Sequence, residues 1–229
     1  MQAHDVHWDP QVAGSDGRVC TFSSRAVRLD LDRWAEPATP TDRVILDDVR
    51  SPVLDVGCGP GRLVAALRDR GVAVLGIDAA PTAIAGARAR GRRIEQRSVF
   101  DPLPHEGTWA TVLLFDGNIG IGGEPTRLLS RARDLMAADG SVIVELEPPG
   151  IALEFGAVQL EVATGMVGWF PWCWVGADEI GSIANDAGLE INACREINDR
   201  WFAWLGSRKA PKRSHERLAA PNRSTNCDA

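Results

Sequence analysis

The stretch that most constrains this chain is Val53–Leu63, which reads Val-Leu-Asp-Val-Gly-Cys-Gly-Pro-Gly-Arg-Leu. Val53, Leu54 and Val56 form a short apolar run around Asp55, the pattern of a strand buried in a parallel sheet. Glycines follow at alternate positions, Gly57, Gly59 and Gly61, and Leu63, Val64 and Leu67 then fall on one side of a helix. Strand, glycine turn and helix open a nucleotide-binding βαβ unit. Glycine is required there because the backbone turns tightly and a ligand must lie against it with no Cβ between them. A dinucleotide fingerprint, G-x-G-x-x-G, needs its third glycine where Arg62 stands, and the Gly-Lys-Ser/Thr of a phosphate loop is absent. The loop is expected to cradle a cofactor other than a pyrophosphate.

On these residues, Val53–Gly61 resembles motif I of the class I S-adenosylmethionine-dependent methyltransferases: a hydrophobic strand, an Asp, an apolar residue and Gly-x-Gly-x-Gly. The similarity extends with decreasing strength over about Arg43–Gly206. It implies a Rossmann-like fold, S-adenosyl-L-methionine as cofactor and methyl transfer as the reaction. It also implies that Asp55, Gly57, Cys58, Gly59 and Gly61 lie at the cofactor.

The second strand, Val72–Ile77, ends at Asp78, roughly 20 residues after the glycine loop. An acid there can take both ribose hydroxyls in charge-assisted hydrogen bonds, and the resemblance assigns it, with the adjoining Ala79, to the cofactor. Asp78 can alternatively cap the helix that Pro81 begins. A third strand is expected over Arg92–Val99. The family often has an acid just after it, in contact with the adenine amine. Here that position falls near Ser98 or Val99, and Asp101 comes late, so Asp101, Phe100 or the Val99 backbone is left to supply the contact. The fourth strand, Trp109–Phe115, ends in Asp116-Gly117-Asn118-Ile119-Gly120-Ile121-Gly122-Gly123. Ligands of open α/β sheets sit beyond the carboxyl ends of the strands, which makes Asp116 and Asn118 candidates for the place where cofactor and substrate meet. The glycines would then let a ligand approach. A glycine-rich connector is the plainer alternative.

Glu124–Ala137 reads as an amphipathic helix, followed by a turn at Asp139-Gly140 and a fifth strand, Ser141–Leu146, with Glu145 and Glu147 near its end. The candidate catalytic groups are Asp116, Glu145 and Glu147, and His4 or His7 could fold back over the site. Gly150–Gly176 then interrupts the βα alternation with two strand-like runs, Ala157–Val162 and Met166–Val175. The second contains Trp169-Phe170-Pro171-Trp172-Cys173-Trp174. An insertion there lies at the carboxyl edge of the sheet, where clustered aromatics suit an apolar wall for a substrate; a self-packed hairpin or a dimer interface competes with that reading. A helix over Asp178–Ala187, with Asp178 as a candidate N-cap, precedes two closing strands, Leu189–Ile197 and Trp201–Leu205.

The expected architecture is α/β: a doubly wound, seven-stranded, mainly parallel sheet with a β-rich insertion after strand 5. Residues 1–42 read as an N-terminal arm and helix, including a helix over Arg25–Trp34, with a further helix over Thr41–Val49. Residues 43–206 read as the cofactor-binding domain and 207–229 as a disordered basic tail. The net charge of −6 argues against a nucleic-acid surface. No apolar run is long enough to cross a membrane, and the polar start lacks the features of a signal peptide, so a cytoplasmic monomer or homodimer is expected. Five cysteines without a C-x-x-C pair disfavour a disulfide framework or a zinc site. The function expected is methyl transfer to a small, hydrophobic or aromatic acceptor. The alternatives are a non-catalytic cofactor-binding protein, an NAD-dependent oxidoreductase (disfavoured by Arg62) and, more weakly, a nucleic-acid modifier.

Overall fold

The structure is a computed structural model in which residues 22–23, 34–162 and 165–208 are described. Apart from Phe22–Ser23 the N-terminal arm, nearly all of the helix expected over Arg25–Trp34, and the basic tail beyond residue 208 lie outside the described residues. In chain order the elements are β1 (Phe22–Ser23), α1 (Pro40–Leu46), β2 (Val53–Val56), α2 (Arg62–Asp69), β3 (Val74–Asp78), α3 (Pro81–Ala89) and β4 (Glu95–Gln96). Then follow β5 (Trp109–Leu114), a 3₁₀ segment (Asn118–Gly123), α4 (Pro125–Leu135), β6 (Met136–Leu146), β7 (Glu154–Val162), β8 (Gly165–Trp174), α5 (Ile180–Asp186), β9 (Leu189–Ile197) and β10 (Arg200–Ser207).

Seven strands form one sheet in the order β4-β3-β2-β5-β6-β10-β9. The first five are mutually parallel, and β10 runs antiparallel to both β6 and β9. Alternation of side chains divides the core into two layers. Leu54, Val56, Val112, Leu114, Val142 and Val144 meet α4 and α5 through Leu128, Leu129, Ile180 and Ile183. On the other face Val53, Leu113, Ile143, Phe202 and Trp204 meet α1 and α2 through Ile45, Leu46, Leu63 and Leu67. α1 is short but well capped. Thr39 Oγ1 accepts from the Asp42 N–H and the Asp42 carboxylate accepts from the Thr39 N–H, with Pro40 at the first helical position.

Several expected boundaries move, each for a physical reason. The third parallel strand shrinks from Arg92–Val99 to Glu95–Gln96, because Arg92, Arg93 and Arg97 leave little apolar surface for an edge strand to bury. The helix before β6 ends at Leu135, and Met136 already continues as strand. Asp139-Gly140 therefore lies within β6, where the pairing with β5 is irregular, and makes no turn. Asp178 does not cap α5: its carboxylate accepts from the Gly150 N–H at 2.8 Å, tying the start of the insertion to its end. Asn198 and Asp199 carry φ of 49° and 62°, the backbone of a two-residue hairpin turn between β9 and β10.

The insertion forms an antiparallel pair, β7 and β8, and β1 from the N-terminal arm adds parallel to β7, making a separate three-stranded sheet β1-β7-β8. It seats directly on the 3₁₀ segment. A Cβ at Gly120 would clash with the Cys173 carbonyl and lie 2.5 Å from Trp172 Nε1, and one at Gly123 would lie 3.2 Å from Pro171 Cβ. Gly120 and Gly123 thus give close approach to the protein's own hairpin, and Gly122 likewise faces the Phe100 ring. Gly117, in contrast, has open space around its Cβ position, and Gly122 lines the cavity described below.

Candidate active site

A cavity of about 490 Å³ opens at the carboxyl ends of β2, β3 and β5. Its walls come from four places. The glycine loop contributes Gly57, Cys58 and Gly59, and the end of β3 contributes Asp78 and Ala79. The end of β5 and the 3₁₀ segment contribute Asp116 and Asn118, and the insertion contributes Val158, Phe170, Pro171 and Trp172. Asp55 and Val99 also line it, whereas Gly61, Phe100, Asp101, Glu145 and Glu147 do not.

The glycine loop has φ of +68° at Gly57, +54° at Gly59 and +81° at Gly61, the left-handed region that other L-residues rarely adopt. It is sewn to β3: the Gly57 and Cys58 N–H groups both donate to the Ile77 carbonyl, at 2.9 and 3.0 Å. Asp78 completes the attachment, accepting from the Gly59 N–H at 2.9 Å through one oxygen and from the Ala80 N–H at 2.8 Å through the other. Burial pushes its carboxyl above the usual range, against the pull of these two donors. Asn118 clasps the loop from the opposite side, its amide donating to the Val56 and Gly57 carbonyls at 2.9 and 3.0 Å. The Cys58 thiol is pushed up by burial and is no nucleophile.

The excluded residues have other work. Gly61 ends the loop at the start of α2, with Ile94 and Arg92 against its open side. The Phe100 ring is covered by the Arg127 guanidinium at 4.5 Å, and the Asp101 carbonyl accepts from Arg131. Glu147 lies one residue past β6, where its backbone bridges to Gly176. Glu145 belongs to a cluster of charges that local sequence reading does not reveal. Arg62 donates to Asp42 at 2.9 Å and to both Asp116 oxygens at 2.8 and 2.7 Å. Arg200 donates to Asp42 at 2.8 Å and twice to Glu145, at 2.8 and 2.7 Å. Glu145 also accepts from the Asp116 N–H at 2.7 Å. Arg200 and Glu145 are the last members of the apolar alternations Trp204-Phe202-Arg200 and Ile143-Glu145, and that alternation is the only sequence signal for the cluster. Asp116 itself has φ of +55°. Burial pushes its carboxyl up, Arg62 pulls it down and the Glu145 charge adds to the rise.

Asp55 is 2 % exposed and, among the described residues, its Oδ2 has no hydrogen-bond partner. Burial raises its carboxyl to about 7; Arg62 opposes this, and the Asp116, Asp78 and Asp42 charges reinforce it. The folded protein therefore holds a proton between about pH 4 and 7 that the unfolded chain has released, so stability falls as pH rises through that window. Relative to Asp55→Asn, the wild-type protein without cofactor is expected to lose stability of the order of 3–4 kcal/mol between pH 4 and 8. Urea melts of both proteins across this range test it, and parallel curves would show that the group ionises normally.

An open, mainly parallel sheet with this strand order, a glycine loop at its switch point and an acid closing the next strand define a cofactor-binding domain of the doubly wound α/β class. The chain belongs to the methyltransferase domain family, whose model matches residues 24–193. It is an S-adenosylmethionine-dependent methyltransferase, with S-adenosylmethionine as its cofactor. No curated protein matches it in sequence. Among solved structures it is similar to an S-adenosylmethionine-dependent methyltransferase from Bacteroides fragilis in complex with S-adenosyl-L-homocysteine (TM-score 0.63, 20 % identity, covering 78 % of this chain and 82 % of that one). It is similar also to the CcbJ methyltransferase from Streptomyces caelestis (0.59, 17 %, 77 % and 92 %). A third is 1,6-didemethyltoxoflavin-N1-methyltransferase from Burkholderia thailandensis, with 1,6-didemethyltoxoflavin and S-adenosylhomocysteine bound (0.54, 16 %, 76 % and 80 %). The cavity fits the cofactor on its own evidence. At Gly59, which lines the cavity with φ of +54°, a Cβ would meet only Trp34 Cβ at 3.9 Å, so the loop presents open backbone there, and the unpartnered Asp55 oxygen suits an ammonium group. Among the described residues, no helix is long and apolar enough to cross a membrane.

Proposed function

We propose that this enzyme methylates a small molecule with a flat, apolar body, and that Val158, Phe170, Pro171 and Trp172 of the insertion form the wall that receives it. The observation that carries the reading is the union of two unlike surfaces in one cavity: the polar glycine-loop end with Asp55 and Asp78, and the apolar hairpin surface of Val158, Phe170, Pro171 and Trp172. Such a cavity is long in apolar wall and short in polar groups, as small-molecule sites are. Bound S-adenosylmethionine supplies a methyl carbon on a sulfonium, which an acceptor lone pair can take while the broken bond's electrons stay on sulfur. The chain's share is then to align the acceptor, exclude water and receive a proton where the acceptor carries one. Asp78 holds the ribose hydroxyls, Gly57, Cys58, Gly59 and Ala79 lie along the cofactor, and Asp55 faces its ammonium group. The Val99 position, preceded by Arg97 and Ser98 along the same wall, serves the adenine end. Asn118 fixes the loop, and Asp116 stands at the acceptor as its proton acceptor, a role that suits a carboxyl raised by burial. The Burkholderia enzyme, crystallised with its small-molecule acceptor, supports the choice of acceptor class, as does the acidic net charge of −6, which disfavours nucleic acid.

Isotopic methyl transfer to a panel of phenols, anilines and heteroaromatics, against peptides and oligonucleotides, tests the reading. Turnover is expected on the small aromatic members only. Trp172→Ala should raise acceptor KM about tenfold or more while S-adenosylhomocysteine affinity stays within about twofold of wild type. Turnover confined to a polymer, or an unchanged KM in Trp172→Ala, would overturn it.

A further inference from the structure

The buried charge cluster has an imbalance, and the imbalance lies at the cavity. Three carboxylates, Asp42, Glu145 and Asp116, face two guanidiniums, Arg62 and Arg200, which leaves one negative charge unmatched. Its location follows from the hydrogen bonds. Asp42 has a fully covered side chain, and its two oxygens receive Arg62, Arg200 and the Thr39 N–H. Glu145 receives two bonds from Arg200 and the Asp116 N–H. Asp116 is the least compensated: both of its oxygens rest on the single Arg62 Nη2, and Arg200 Nη2 stands off at 3.8 Å. Asp116 is also the one member of the three carboxylates that lines the cavity, with 26 % of its side chain exposed. A carboxylate can accept about four hydrogen bonds, so Asp116 keeps acceptor capacity on its open edge.

Arg62 is held on Asp42 through Nη1 while Nη2 reaches Asp116, and Arg200 holds the Asp116 backbone in turn through Glu145. A planar guanidinium can satisfy two carboxylates at fixed angles, which a lysine ammonium does poorly. We infer that Arg62 and Arg200 are positioning residues that fix Asp116 as a directed hydrogen-bond acceptor on an otherwise apolar wall, and that the cavity thereby selects acceptors carrying an O–H or N–H on the flat apolar body. The inference rests on the reading of this cavity as an acceptor site. It narrows the acceptor from flat apolar molecules in general, heteroaromatics without an O–H or N–H included, to protic ones, such as phenols and aryl amines. A site built to bond a hydroxyl rejects the isostere lacking it, because the buried polar group is then left unpaired.

The test uses binding and needs no knowledge of the natural acceptor. Three pairs of graded size, phenol and toluene, 2-naphthol and 2-methylnaphthalene, 4-phenylphenol and 4-methylbiphenyl, are titrated by tryptophan fluorescence into protein saturated with S-adenosylhomocysteine. In wild type the hydroxyl member of the best-fitting pair should bind about 10- to 100-fold tighter. Asp116→Asn keeps the shape and removes the charge. Arg62→Lys and Arg200→Lys keep the charge and remove the planar fork. Asp116→Asn and Arg62→Lys should each bring the ratio within about threefold, with Arg200→Lys between them and wild type. Affinity for the methyl member and for S-adenosylhomocysteine should stay near wild type, which a general loosening of the fold would not leave intact. Equal binding of both members by wild type overturns the selection for protic acceptors. A ratio that survives Arg62→Lys but not Asp116→Asn overturns the positioning role. Failure of every pair to bind wild type is a different result: it removes the acceptor-site reading itself.

Discussion

Asp42→Ala is expected to cost about 3–5 kcal/mol of folding stability, because it strips a buried carboxylate from two arginines at once. Asp42 has no exposed side-chain surface, and Arg62, its partner at 2.9 Å, is only 8 % exposed. The Arg62 guanidinium cannot turn to water, Arg200 keeps only Glu145 as a close partner, and the Thr39 N–H loses its cap acceptor as well. Against the 5–15 kcal/mol typical of a whole domain, a loss of that size leaves a barely folded protein. Chemical denaturation of wild type and variant measures it. A loss under about 1 kcal/mol would class the cluster with ordinary surface ion pairs. Burial alone would raise the Asp42 carboxyl; Arg200, Arg62 and the Thr39 N–H outweigh it and hold the group below its usual range. The stabilisation from Asp42 is therefore complete above its unfolded value of 3.8 and is lost as pH falls through the lower folded value.

Asp78→Ala is expected to weaken S-adenosylhomocysteine binding by about 100- to 1000-fold. Two charge-assisted hydrogen bonds to the ribose would go, each worth about 1.5–3 kcal/mol. The Gly59 N–H would also lose the carboxylate that anchors the glycine loop to β3. Calorimetric titration of wild type and variant with S-adenosylhomocysteine, and separately with NAD, decides the matter. Wild type should take the adenosyl compound and not NAD. Equal affinity in the two proteins would remove Asp78 from the site, and preference for NAD would contradict the reading of Arg62 as incompatible with a dinucleotide loop.

What the sequence made legible and what it hid divide along a physical line. The donor half of the cavity is built from local features. Alternate glycines with positive φ, an acid at the end of the next strand and a strand ending at Asp116 all speak through short spacing, and the structure brings Gly57, Gly59, Asp78 and Asp116 to one cavity. The charge cluster is built from distance: Asp42 and Arg200 meet across 158 positions, and each reads locally as an exposed polar residue of a helix start or a hairpin. Glu145 looked available for catalysis because a strand-end carboxylate usually faces solvent, whereas Arg200 and the Asp116 N–H already occupy it. Gly120 and Gly123 of the 3₁₀ segment serve a neighbour that local reading does not name. Glycine signals close approach without saying of what, and at Gly120 the neighbour is Trp172, 52 positions onward.

The insertion leaves β6 beside Glu147 and returns at Gly176, and these two residues are bridge partners. A segment whose ends meet at one point can be lengthened, shortened or exchanged without shifting the register of the seven strands. Its apolar wall can therefore drift from one relative to another while the glycine loop and Asp78 stay under constant demand. In such an architecture the shape of the proposed acceptor wall and the donor loop can vary separately, whereas Asp116 and Arg62 tie the hydrogen-bonding end of the cavity to the sheet itself.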